Sequence, residues 1–143
     1  MEIQIWDDDP LFDDLLRTVY TDNNGYYSVT FVNDNGWLEN GYDIRVKVVF
    51  RNQKFEVFDD VFVYSYEFES ISTNCRNGDD LNYSHIFDLL NNPSERDRAI
   101  SVFQACTYGF EYLDSVNASY GYLSVQFESW LPDFPHSIIS HSI

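Results

Sequence analysis

The side chains with the plainest chemistry are carboxylates near the N-terminus. Asp7, Asp8, Asp9, Asp13 and Asp14 put five acidic groups into eight residues with no basic group among them. Two unit charges about 4 Å apart repel by roughly 1 kcal/mol even in bulk water, and by more beside a low-dielectric surface. A loop that gathers several of them is therefore a natural seat for a hard cation with oxygen ligands, and Ca2+ is the expected ion. Asp22, in the turn Asp22-Asn23-Asn24-Gly25, and Asp34, in Asn33-Asp34-Asn35-Gly36, are expected at the same end of the fold. The expected ligands are Asp7, Asp9, Asp13 and Asp22, with Asp14 and Asp34 behind them. The spacing is not that of the twelve-residue EF-hand loop, and a solvated acidic edge is the competing reading.

Other chemistries find less support. His85, His136 and His141 are the only imidazoles, and the last two lie five apart rather than at the i, i+4 spacing of a helical zinc pair. Ser84, His85 and Asp88 are close in sequence, but no G-x-S-x-G turn surrounds them. Asp79 and Asp80 are the nearest thing to an acid–base pair, with nothing in their sequence setting one apart from the other. Trp37, Tyr42 and Trp130 are candidates to stack on sugars, although core burial accounts for most aromatics. Cys75 and Cys106 can form one bridge at most, and a disulfide and two thiols are equally open readings. Asn82 and Asn117 each begin an N-x-[ST] acceptor triplet for glycosylation. The chain is read as a non-enzyme.

The elements that must carry these groups are mostly strands. Residues 2–6 alternate as Glu, Ile, Gln, Ile, Trp, break into the acidic loop at 7–14, and return at 18–21. A second alternating strand is expected over 26–32. Residues 42–50 form a third, with Ile44, Val46, Val48 and Phe50 on one face and Arg45 and Lys47 on the other, the period of a half-buried strand. Residues 51–54 read as a hairpin loop, and strands follow at 55–58 and 61–68. Residues 69–83 are polar and irregular, and 84–90 form a short helix. Asn92, Pro93 and Glu95 are placed as N-cap, first helical residue and capping carboxylate of a longer helix. Its apolar stripe is Ala99, Ile100, Phe103, Cys106, Phe110 and Leu113, and it fades before Asn117. A last strand spans 122–130, and the tail from His136, with Ile138, Ile139 and Ile143, has no evident strand partner.

The 143 residues make one ordinary domain with a short appendage. With 24 Asp and Glu against 8 Lys and Arg, the formal charge is -16. Nucleic-acid backbones and anionic membranes are poor partners for such a surface, and no apolar run of about 18 residues is present to span a bilayer. Twelve Phe, eleven Tyr and three Trp argue for a folded, β-rich domain. No signal-peptide pattern precedes residue 2, which fits a mature fragment or a cytosolic start.

The run Ile5-Trp6-Asp7-Asp8-Asp9-Pro10-Leu11-Phe12-Asp13-Asp14-Leu15-Leu16, followed by Thr21-Asp22-Asn23-Asn24-Gly25-Tyr26-Tyr27, resembles the opening of transthyretin-like and carboxypeptidase-regulatory-like β-sandwich domains. The resemblance covers about residues 2–68. It implies a prealbumin-like antiparallel β-sandwich, usually non-catalytic and attached to a secreted or surface protein. More faintly, the second half resembles a segment that precedes the H-E-x-x-H region of some large bacterial secreted zinc peptidases, a motif this chain lacks.

The expected architecture is thus mainly β, with a sandwich at 1–68, a connecting loop at 69–83 and a helix-strand (αβ) appendage with an apolar tail at 84–143. The expected function is that of an extracellular or cell-surface, Ca2+-stabilised accessory module working through a protein partner or self-assembly. The alternatives are a structural subunit of an extracellular fibre or filament, and an N-terminal fragment of a secreted zinc peptidase.

Overall fold

A computed structural model of the chain describes residues 1–9, 12–32, 41–59, 65–76, 78–84, 94–127 and 137–140. The chain forms two compact units, each built from two stretches: Met1–Val49 with Phe68–His85, and Phe50–Glu67 with Ile86–Ile143. Residues 50–67, grouped by sequence with the N-terminal sandwich, thus belong with the helix. The described residues are mainly β, in two sheets and one helix, and neither sheet closes into a barrel.

The first sheet contains β1 (Glu2–Asp7), β2 (Asp14–Tyr20), β3 (Tyr42–Val49), β5 (Glu67–Glu69) and β6 (Thr73–Cys75), in the order β2-β1-β3-β5 with β6 also on β3. β1 is antiparallel to both neighbours and sets Ile3 opposite Val48 and Ile5 opposite Val46. The alternation of β1 and β3 therefore puts Ile3, Ile5, Ile44, Val46 and Val48 on one buried face. Each such side chain contributes about 1.5–3 kcal/mol on burial. The opposite face is polar and internally bonded: Trp6 Nε1 donates to Gln4 Oε1 at 3.0 Å, and Gln4 Nε2 to Glu2 Oε1 at 2.7 Å. A register shift between Ile5 and Trp6 marks a bulge, after which Asp7 faces Asp14. The acidic loop is thereby shortened to residues 8–13, since Asp7 and Asp14 end the paired strands.

The strand expected over 26–32 does not join the sheet. The turn before it closes on a side chain instead, because Asp22 Oδ1 accepts the N–H groups of Asn24 at 2.8 Å and Tyr26 at 2.9 Å. Gly25 takes the positive φ of 84° that this turn requires. The chain then leaves the β2 edge, and the Phe31 ring packs 6.1 Å from that of Tyr42. The alternation nevertheless survives as burial, with Tyr27, Val29 and Phe31 half-buried and Tyr26, Ser28, Thr30 and Val32 exposed.

The second unit holds β4 (Phe55–Asp59), α1 (Glu95–Ser115), β7 (Leu123–Phe127) and β8 (Ser137–Ser140). The loop at 51–54 turns the chain back on itself as a hairpin: Arg51 bridges antiparallel to Glu56, Val57 N donates to Phe50 O, Asn52 N donates to Phe55 O, and Asn52 Oδ1 caps the turn by accepting from Lys54 N and Phe55 N. Beyond this turn, β4 pairs in parallel with β7, a pairing that needs a long crossover and has one in the segment carrying α1. The tail expected to lack a partner has one, since β8 is antiparallel to β7, with Ile139 opposite Val125 and Ile138 opposite Gln126.

The helix also starts differently from expectation. Ser94 is its N-cap, and the capping box is closed by Asp97: Asp97 N donates to Ser94 Oγ at 3.3 Å and Ser94 N to Asp97 Oδ2 at 2.8 Å. The Ser-x-x-Asp pair is a strong cap because it satisfies two orphan N–H groups reciprocally. The expected stripe is the packed face, with Ala99, Ile100, Phe103 and Phe110 buried and Cys106 and Leu113 half-buried. Phe55 lies at its centre, 4.8 Å from the Phe103 ring and stacked 5.2 Å from Phe110. Residues 61–64 of the strand expected over 61–68, residues 85–90 of the short helix expected over 84–90, and residues Asp34, Trp37, His85, Asn92, Pro93, Trp130, His136 and His141 lie outside the described residues.

Candidate functional site

β1 carries Asp7 to the end of the buried face, where it is 4% exposed and its Oδ1 accepts the Asp43 N–H at 2.9 Å. Asp8 N in turn donates to Asp43 O at 2.8 Å, so the mouth of the acidic loop is stitched to the start of β3. Asp7 is thereby committed to holding backbone.

The loop's charge is met by a residue two positions further along β3. Arg45 Nη2 is paired with Asp13 and lies 3.9 Å from Asp8, while Nη1 is 3.2 Å from Glu69 Oε2. Glu69 Oε1 is held by Lys47 Nζ at 2.9 Å, and that ammonium sits 5.5 Å from the centre of the Trp6 ring. Ser72 donates to Asp8. This hydrogen bond first, and then the Arg45 charge, hold the Asp8 carboxyl below its ordinary value. Arg45 Nε is buried without a hydrogen-bond partner among the described residues, so the guanidinium is ordered by its two terminal nitrogens.

Among the described residues, the expected ligands are therefore not gathered at one point. Asp7 and Asp14 face each other at one end of the β1–β2 hairpin, and Asp13 is nearby on Arg45. Asp9 is half-buried just past β1 and makes none of these contacts. Asp22 lies at the opposite end, beside the Met1–Thr21 backbone bond, and spends its carboxylate on its own turn. Six residues of strand separate the two ends, about 20 Å. Among the described residues, no group of three or more His, Cys, Asp or Glu is arranged to hold a metal ion.

Of the remaining candidates, Asp79 closes the turn after β6 by accepting from Arg76 N at 2.8 Å, and Asp80 is exposed. Tyr42 is half-buried against Phe31. Cys75 is buried in the first unit and Cys106 half-buried on α1 in the second; both are thiols here, raised above the ordinary value chiefly by burial. Asn82 and Asn117 are exposed, and Asn117 ends α1 with a φ of 53°.

Comparison with protein-family models, with curated proteins and with solved structures returns no match. The arrangement itself is what remains to be interpreted. Sequence reasoning passed over Arg45, Asp43, Glu69 and Ser72, which organise the loop. One signal was present: Arg45 and Lys47 are the only bases on β3, and both fall on the face of β1 that carries Trp6, whose register partner is Arg45.

What this end of the sheet offers chemically is an edge. β2 pairs with β1 alone among the described residues, and Leu15, Arg17, Thr18 and Tyr20 are exposed along it. Its first residue, Asp14, continues the carboxylate row of Asp8, Asp9 and Asp13. An extended backbone row beside acidic side chains suits the main chain of a cationic peptide.

Proposed function

We propose that this chain works by binding rather than catalysis, as an accessory module whose first unit accepts an extended, basic segment of a partner protein along β2. The observation that carries the reading is the β2 edge itself, seven residues long, five of them exposed, and flanked by the acidic loop. Backbone hydrogen bonds would supply the affinity, and the chain's charge of -16 the preference for Lys and Arg. The likeness of residues 2–68 to transthyretin-like modules favours the same class, and with it an extracellular or cell-surface setting.

The test is a calorimetric titration with an alternating Lys-Val heptapeptide and with its Glu-Val counterpart, followed by amide-shift mapping. The basic peptide should bind, weaken as salt is raised, and move the amides of β2. Equal binding of both peptides, or shifts confined elsewhere, would overturn the assignment.

A further inference from the structure

We propose that residues 26–32 pair antiparallel with the same segment of a second copy, giving a two-fold dimer independent of the β2 edge. The segment has the burial pattern of a strand but no strand beside it among the described residues. Tyr27, Val29 and Phe31 point inward, and burial, followed by the nearby Tyr83, pushes the Tyr27 phenol above its ordinary value. Beyond Tyr26, whose N–H and C=O both serve the Asp22 turn, no backbone hydrogen bond is made up to Val32 among the described residues. Such a row of β-branched and aromatic residues, its backbone groups unbonded among the described residues, is a template for strand addition.

Self-complementarity identifies the occupant. Antiparallel pairing centred on Val29 brings Tyr26 opposite Val32, Tyr27 opposite Phe31 and Ser28 opposite Thr30 of the other copy. Tyr26 and Val32 are 75% and 80% exposed, and this register covers each with the other. Two-fold symmetry demands such a match of a patch with itself. Charge points the same way. Between Asp22 and Asp34 the chain carries no charged residue, so two molecules of formal charge -16 can approach here without opposing carboxylates across the pair. A basic peptide would gain nothing from so neutral a stretch.

The test is sedimentation equilibrium of the whole chain over a concentration series at low and physiological salt. A monomer–dimer equilibrium that tightens as salt screens the net charge is expected. Because Ser28 and Thr30 face solvent, exchanging them should leave the fold intact, which circular dichroism checks. S28K with T30K sets like charges opposite each other twice and should weaken the dimer by about tenfold or more. S28K with T30E sets opposite charges across the same pairs and should restore it. A chain that stays monomeric throughout, or a dimer indifferent to both double variants, would overturn the proposal.

Discussion

Arg45 and Lys47 share one carboxylate: Glu69 places its two oxygens 3.2 Å from Arg45 Nη1 and 2.9 Å from Lys47 Nζ. The two bases alternate along one face of β3, and the acid stands on β5 beside them. Arg45 also holds Asp13, so a single guanidinium orders both the strand pair and the acidic loop. An isolated surface pair is worth about 0.2–1 kcal/mol, but here one side chain anchors several partners. Arg45→Met keeps the packing of the aliphatic stem and should cost about 1–2 kcal/mol in urea unfolding. Loss of no more than a few tenths would mean the cluster is ornamental.

The same arrangement bears on calcium. In the wild type, Asp8 and Asp13 already lie against a cation, so thermal melts in millimolar Ca2+ and Mg2+ should rise equally above EDTA, as general screening requires. In Arg45→Met the two carboxylates lose that cation and a larger divalent response is expected. A Ca2+-specific rise of the wild type would instead make the ion a resident ligand of this loop.

Gly41 has φ +129°, and a Cβ built there would stand 2.4 Å from the Cys75 carbonyl oxygen. The glycine lets the start of β3 lie against β6, where Tyr42 pairs with Cys75. Gly41→Ala combines a forbidden backbone conformation with a backbone clash, so a loss of about 2 kcal/mol or more is expected in the urea midpoint. Gly25→Ala is the control. It meets no atom within 4 Å, which leaves only its φ of 84° as a penalty and a smaller loss.

The strands β1 and β3 and the helix stripe were legible because alternation and the three-to-four-residue period are written in apolar positions. Ile3 and Ile5 along β1, Val46 and Val48 along β3, and Ala99, Phe103 and Phe110 along α1, are local patterns. What was not legible is where partners come from. Nothing near Phe55 reveals that β4 pairs with Leu123–Phe127, nor does the tail announce β7, because such pairings are set by tertiary packing. At the acidic loop the row of carboxylates is written in the sequence, but the register of β1 on β3 that sets Arg45 beside it is not, nor is the strand length that puts Asp22 and Asp7 at opposite ends.

Phe55 is fully buried and touches Phe103 and Phe110 on the helix. Phe55→Ala opens a cavity between β4 and α1 and should cost about 3–5 kcal/mol. Near-UV circular dichroism should lose intensity well before the helical signal does, and Phe55→Leu should recover most of the loss.

The end of α1 carries the clearest pH dependence. Lys54 reaches Asp114 and Tyr120 donates to the same carboxylate, while the Lys54 ammonium sits 5.8 Å from the Tyr120 ring centre. The Lys54 hydrogen bond first, and that of Tyr120 second, hold the Asp114 carboxyl below its ordinary value; the Lys54 ammonium is correspondingly raised by Asp114. A depressed carboxylate stabilises the fold above its unfolded value, near 3.9, and that contribution disappears as pH falls through the lower folded value. A raised ammonium acts in the opposite sense, contributing below the unfolded lysine value, near 10.4, and failing as pH climbs through the folded one. The staple is therefore intact on a plateau between the two limits. Asp114→Asn should remove the acid limb and the alkaline limb together, because both require the same pair. If urea midpoints measured from acid to alkaline pH run parallel for wild type and variant, the staple contributes nothing and α1 is held by its aromatic stripe alone.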